Sequence, residues 1–217
     1  LNCVANSKVL KSKIYEKLWI QPASGDAGGA IGAALAAYYL YNQQPRQHSK
    51  TKDSMNGSYL GPSFTMEEIE QRLKKIGANF IKIKTENTLI QKVSKLLTQG
   101  KIIAWFQGRA EFGPRALGNR SILADPRCSN MQKTLNLKIK YRESFRPFAP
   151  SVLIENAKDW FDLKGDSPYM LFTANVKKDK HIKVLDELDG IDKLKLPRSQ
   201  IPAVTHVDYS ARVQTVD

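Results

Sequence analysis

Three arginines and three glycines stand within 14 residues in Gly108-Arg-Ala-Glu-Phe-Gly-Pro-Arg-Ala-Leu-Gly-Asn-Arg-Ser121, directly after a short apolar run. Glycine lets backbone close on a ligand, and a guanidinium grips phosphate or carboxylate through parallel N–H donors. Arg109, Arg115 and Arg120, carried at the end of a strand, are therefore candidates to converge on one anion in a concave site. A second run, Leu137-Lys-Ile-Lys-Tyr-Arg-Glu-Ser-Phe-Arg-Pro-Phe148, adds Lys140, Arg142 and Arg146. If it is extended, Lys140 and Arg142 share one strand face and can grip the same ligand. If it is helical, it is a solvated face in which Glu143 pairs with its neighbours. A lone arginine is more often a surface ion pair or a helix cap, but clustering with Gly and Pro favours binding. Between Arg109 and Arg146 six Arg and three Lys face only Glu111, Asp125 and Glu143, so 38 residues hold nearly half of the chain's net +13.

A third segment, Ser24-Gly-Asp-Ala-Gly-Gly29, opens a run of small residues. Such a turn suits close approach to phosphates, although by itself it serves equally as a tight turn with close helix packing. His48, His181 and His206 show no metal-ligand spacing, and His206, between Thr205 and Asp208, reads as a structural strand residue. Cys3 and Cys128 lie far apart, without zinc spacing or the density of a disulfide scaffold, and read as ordinary thiols.

These segments need elements to position them. A short helix and a strand-like Lys17–Gln21 precede the glycine turn, and a small-residue helix starts from about Gly28. Thr65 and Glu68 form a capping-box pattern before a helix with apolar Met66, Ile69 and Leu73, ending at Gly77. Phe80–Lys84 alternates like a half-buried strand, Leu89–Leu97 repeats like a helix, and Ile102–Phe106 suits a buried strand. Ala149–Leu153 reads as a strand and Glu155–Phe161 as a helix. Val204–Val207 and Ala211–Val216 suggest a hairpin, and Lys177–Pro197 is charged and exposed. The alternation predicts an α/β chain.

The 217 residues, with a hydrophobic fraction of 41%, suffice for one or two globular domains with a buried core. The longest apolar run, Ala30–Tyr41, has 12 residues, against about 20 needed to span a bilayer. No membrane partner and a soluble, cytoplasmic location are expected. The opening at Leu1 without Met, and the close just after a strand-like run, read as an excised internal piece. A pI near 9.7 points to an anionic partner.

The stretches GRAEFGPRALGNRSILADPR and LNLKIKYRESFRPFAPSVL resemble the signature of the NodU/CmcH-type O-carbamoyltransferase family. The resemblance continues in IPAVTHVDYSARVQT near the C-terminus, in Leu1–Asn6, and in Ser24–Ala34. It implies a YrdC-like mixed sheet with flanking helices at 64–217, truncated at its end. Before it come a linker at 44–63, with Gln, Ser, Lys, Asn, Gly and Pro but no periodicity, and at 1–43 the last piece of an actin-like, sugar-kinase-like transfer domain. By the same resemblance, the YrdC-like domain makes carbamoyl-adenylate from carbamoyl phosphate and ATP, with Mg2+ on the nucleotide. The other domain passes the carbamoyl group to a small hydroxylated acceptor such as a sugar or secondary metabolite. Lys140-Tyr141-Arg142 matches the KxR motif of YrdC-like domains. The resemblance thus assigns Lys140, Arg142 and Arg115 to catalysis, and Arg146, Arg109 and Arg120 to further anion contacts. Gly28 and Gly29 are assigned to nucleotide phosphates and Asp26 to a divalent metal such as Fe2+. The HxxxH histidines that complete that metal site have no counterpart here, so no transfer-site metal is expected. No NTSFN-like SxN stretch occurs either, so the adenylation site is expected to be incomplete.

A different class of function is a basic YrdC-like module that binds nucleic acid. Charge alone supports it. Phe112, Phe145 and Phe148 sit among Gly and Pro and read as pocket walls rather than stacking platforms, so nucleic acid is not the expected partner. A third reading makes the excised piece a structural element with no turnover of its own.

Overall fold

Thr65 caps the helix that its spacing to Glu68 predicts. Its Oγ1 accepts the Glu68 N–H at 3.2 Å, while Glu68 Oε2 accepts the Thr65 N–H at 2.8 Å, closing the capping box over α3, Met66–Lys75. The computed structural model describes residues 1–46, 53–183 and 196–217. Residues 47–52 of the expected linker, with His48, and 184–195 of the expected charged stretch lie outside the described residues. The chain forms two compact units, Ala23–Leu123 and Leu1–Pro22 with Ala124–Asp217. The architecture is mixed α/β, with three two-stranded sheets among the described residues.

In the Ala23–Leu123 unit, α2 runs Asp26–Ala36, starting two residues earlier than expected, and widens into a π turn at Ala37–Tyr41. After α3 the chain turns through Gly77 at φ 65. The helix α4, Glu86–Thr98, is capped by Thr85, whose side chain accepts from the Thr88 N–H. β1, Ile103–Phe106, pairs antiparallel with β2, Arg120–Leu123. β1 is not the buried strand its apolar run suggested, since it alternates half-buried with exposed positions and Phe106 is 55% exposed. One partner strand covers only one edge, and the Arg120 guanidinium lies 3.4 Å from the Phe106 ring centroid in place of a second layer. Phe80–Lys84 forms no strand among the described residues. Ile81 is exposed, and the Lys82 ammonium reaches out to Glu70 at 2.7 Å.

The other unit holds α1, Cys3–Ser12, and α5, Met131–Lys138. Lys17–Gln21 is irregular rather than a strand. β3, Ser151–Leu153, lies where expected, while the expected helix 155–161 is a 3₁₀ turn at Ile154–Asn156 and one turn of α6, Ala157–Trp160. β4 is Thr173–Asn175. The predicted C-terminal hairpin does not form. Pro202–Val204 is a 3₁₀ turn, β5 (Ser210–Arg212) pairs antiparallel with β4, and β6 (Gln214–Val216) pairs parallel with β3. Val213 between them is fully buried, so consecutive strands fan out around one core residue instead of folding back. That core comprises Phe161, Ala174, Val176, Ile201, Val204, Ala211 and Val213, with Phe148 and Trp160 packed against it. α1 docks beside β4 through a buried serine. Ser7 Oγ accepts the Thr173 N–H at 2.7 Å and donates to the Thr173 carbonyl at 3.2 Å, while Asn6 Nδ2 donates to the Leu171 carbonyl. Among the described residues no helix is long and apolar enough to cross a membrane.

Candidate functional site

The Gly108–Asn119 bend is organised around the one acid it contains. Glu111 Oε1 accepts the backbone N–H groups of Leu117 at 2.7 Å, Asn119 at 2.9 Å and Arg120 at 3.3 Å. Gly113 and Gly118, at φ 123 and 121, supply the backbone conformation that brings those N–H groups round. Burial alone would push the Glu111 carboxyl up. The backbone N–H groups around it outweigh burial and hold it below the ordinary carboxyl value. Asn119, nearly buried, locks the bend from the other side by donating to the Arg109 carbonyl at 2.7 Å and accepting from Gln107 Nε2 at 3.1 Å.

The described part of the expected linker is a brace for this bend. Gly61 donates to the Ala110 carbonyl, Ala110 to the Pro62 carbonyl and Phe112 to the Ser58 carbonyl, all within 2.9 Å. The Tyr59 hydroxyl donates to the Leu117 carbonyl at 2.9 Å. A Cβ on Gly61 would come within 2.9 Å of Ala110. Composition suggested a tether at 53–63 because these bonds come mostly from the main chain, which leaves no hydrophobic period to read.

The two arginines of the bend and Arg120 at its end take different roles. Arg120 Nη1 donates to the carbonyls of Gln107 at 2.6 Å and Asn119 at 2.9 Å, and Nη2 to those of Gly108 at 3.2 Å and Pro62 at 3.4 Å. Its fork clamps the bend and its brace instead of standing open to an anion. Arg109 is exposed and Arg115 is half-buried. Asp26 is exposed in the first turn of α2, and Gly29 faces open space. Among the described residues no three His, Cys, Asp or Glu side chains gather to hold a metal. Asp26 belongs to no such group among the described residues.

Lys140, Arg142 and Arg146 lie on one loop of the other unit, and that loop is neither a strand nor a helical face. It is a return turn after α5. The Lys140 N–H donates to the Leu135 carbonyl at 2.9 Å and the Arg142 N–H to the Asn136 carbonyl at 3.0 Å, while Tyr141 between them is left-handed at φ 48. Asn136 is fully buried at 0% exposure. Its Nδ2 donates to the Ser144 carbonyl at 3.0 Å and the Arg146 carbonyl at 2.8 Å, and its Oδ1 accepts Arg142 Nε at 2.7 Å. The Arg142 guanidinium carbon lies 5.1 Å from the Phe148 ring centroid. Its Nη atoms make no hydrogen bond to the described residues. Lys140 is exposed without an ion pair among them, and Arg146 makes an exposed pair with Glu143 at 3.2 Å. Phe145 is likewise exposed, and only Phe148 of this loop's two phenylalanines backs an arginine.

Sequence reasoning missed Asn136 and Glu111. The only available signals were an amide between two leucines near a helix end and one acid in a basic run. His206 stands as a turn residue: its Nδ1 lies 3.0 Å from Ser210 Oγ, which donates to Asp208 at 2.7 Å. Burial holds its pKa down, helped by Arg212 and opposed by Asp208.

The carbamoyltransferase C-terminus family model matches residues 94–217, more than half of the chain, and the carbamoyltransferase N-terminus model matches 1–35. The chain belongs to the NodU/CmcH-type carbamoyltransferase family. Among its relatives, an uncharacterized protein of Synechocystis sp. is 54% identical over all of the chain, which is 36% of that protein. Nodulation protein NolNO of Sinorhizobium fredii is 39% identical over 99% of the chain and 29% of its own length. The 3'-hydroxymethylcephem-O-carbamoyltransferase of Streptomyces clavuligerus is 30% identical over 100% of the chain and 35% of its own length. The chain thus spans about a third of these proteins. The C-terminal match contains both basic loops, and the N-terminal match contains α1 and most of α2.

Proposed function

We propose that this chain contributes the carbamoyl-activating part of an ATP-dependent O-carbamoyltransferase. In this reading residues 64–217 form a YrdC-like domain, 1–43 belong to an actin-like transfer domain, and the protein works in the cytoplasm. Carbamoyl phosphate loses phosphate to one water, and the resulting carbamate oxygen attacks the α-phosphorus of Mg2+-bound ATP. That forms the carbamoyl–phosphate anhydride of carbamoyl-adenylate and expels pyrophosphate. An acceptor hydroxyl, on a sugar or other small metabolite, then attacks the carbamoyl carbon, and AMP leaves with the bonding pair. Both reactants are polyanions, so fixed cations must offset their repulsion and the charge developing at phosphorus.

The observation that carries this reading is Arg142. Its Nε is fixed by a buried amide while its Nη fork makes no hydrogen bond to the described residues, and Lys140 stands two residues away. Arg142 and Lys140 are assigned to the phosphates of the adenylate, with Arg146 as a further contact on the same loop. Arg115 and Arg109 are assigned to anionic groups of the reaction by resemblance alone. The test is carbamoyl-phosphate-dependent exchange of pyrophosphate into ATP, measured on the protein that carries this chain. Lys140→Ala and Arg142→Ala should each cut the exchange about 100-fold. Unchanged exchange in both variants, with folding intact, refutes the assignment.

A further inference from the structure

We propose that Asn136 is a positioning residue that acts through Arg142, aiming its guanidinium fork at the ligand; this deepens, and rests on, the carbamoyl-activation reading above. One buried side chain ties the whole return turn together. Its two Nδ2 protons go to the carbonyls of Ser144 and Arg146, its Oδ1 takes Arg142 Nε, and its own backbone carbonyl takes the Arg142 N–H. Only an amide of this length supplies an acceptor for Nε and two donors for the carbonyls from the same group. Asp lacks the donors, and Leu or Ala lacks both.

The atom that Asn136 engages decides what is left over. A guanidinium can be held along its Nε side or by its Nη end. When Nε is taken, the end-on Nη1/Nη2 pair remains, which is the geometry that meets two oxygens of a phosphate at once. Phe148 against the guanidinium restricts rotation about that anchor. Left-handed Tyr141 is a conformation that a non-glycine residue holds only where its surroundings impose it: the Leu135 carbonyl takes the Lys140 N–H before it, and Asn136 binds Arg142, Ser144 and Arg146 after it. Arg142 therefore owes its direction to a residue that need not touch substrate.

The experiment is a double-mutant cycle in the protein that carries this chain: wild type, Asn136→Ala, Arg142→Ala and the double variant. Carbamoyl-phosphate-dependent ATP–pyrophosphate exchange is measured beside the thermal midpoint. A positioning role predicts that N136A lowers exchange roughly 100-fold in the wild-type background. It predicts almost no further loss in the R142A background, while the thermal midpoint falls in both. An equal fold-loss in both backgrounds makes Asn136 merely structural and overturns the inference while the function reading stands. Undiminished exchange in R142A removes Arg142 from the function reading and this inference with it, a different signature. If N136A does not fold, Asn136→Leu, which fills the same buried volume but lacks both the acceptor and the donors, and its R142A double replace it under the same criterion.

Discussion

The two basic loops look alike in sequence and solve opposite problems. In the Gly108–Asn119 bend the acid and an arginine are both consumed by the main chain: Glu111 gathers N–H groups and Arg120 gathers carbonyls. In the Lys140–Arg146 turn a neutral amide does the gathering, and among the described residues only the Nε of Arg142 is taken. The number of arginines therefore says little about binding. What separates the Arg120 clamp from Arg142, the proposed ligand arginine, is which of its nitrogens the fold occupies, and whether a neutral or an ionised residue organises the surrounding turn.

The sharpest break of that comparison sets Arg142 against Arg120 in one assay. R142A should lose about 100-fold of the exchange activity with a modest shift in thermal midpoint. Arg120→Lys keeps the charge but cannot reach four carbonyls. It should destabilise the fold by about 1–3 kcal/mol, read by denaturant titration. If R120K instead abolishes exchange at unchanged stability, the clamp assignment is wrong and Arg120 is a ligand residue after all.

Local chemistry was legible where one short stretch decides the outcome. Thr65 with Glu68 specifies a helix start by itself, and Ile103–Phe106 and Ser151–Leu153 carry enough β-branched and aromatic character to be found as strands. Legibility ended where a distant partner decides. Phe80–Lys84 has the alternation of a strand but nothing to pair with among the described residues. Residues 211–216 look like one arm of a hairpin, yet the strands Ser210–Arg212 and Gln214–Val216 each take a different remote strand, because buried Val213 turns the chain between them. At the site, the residue types of Lys140 and Arg142 were evident, whereas their geometry depends on Asn136, whose role appears only once α5 and the turn after it are folded. The brace at 58–62 was read as a tether because main-chain bonds leave no pattern in side-chain polarity.

A smaller effect separates charge from geometry in the first bend. Glu111→Ala strands three N–H groups and should cost about 1–2 kcal/mol, since the carboxyl is only partly buried and water relieves some of the loss. Glu111→Gln keeps an acceptor oxygen at the same reach and should cost less, in denaturant titrations at neutral pH. Equal losses would mean that the negative charge, rather than the acceptor position, organises the bend.

The smallest effect is the pH dependence of that difference, and its sign follows from the native environment of Glu111. Desolvation opposes ionisation of the carboxyl, but the backbone N–H groups that surround it together favour the ionised form more strongly. The group therefore titrates lower in the folded chain than the ordinary 4.5. A group with a depressed folded pKa contributes its charge-dependent stability fully above the unfolded value and loses it as pH falls through the folded one. The stability gap between wild type and E111Q should therefore be flat from neutral pH down to about 5, and shrink below about 4.5 as the wild-type carboxyl takes up a proton. The amide introduced by E111Q does not titrate, so the gap isolates this one group from the other carboxylates of the chain. A gap that widens on acidification would show the carboxyl to be protonated more readily in the fold than outside it. Burial would then outweigh the N–H groups, and the bend would be held by the Arg120 clamp and the 58–62 brace without Glu111's charge.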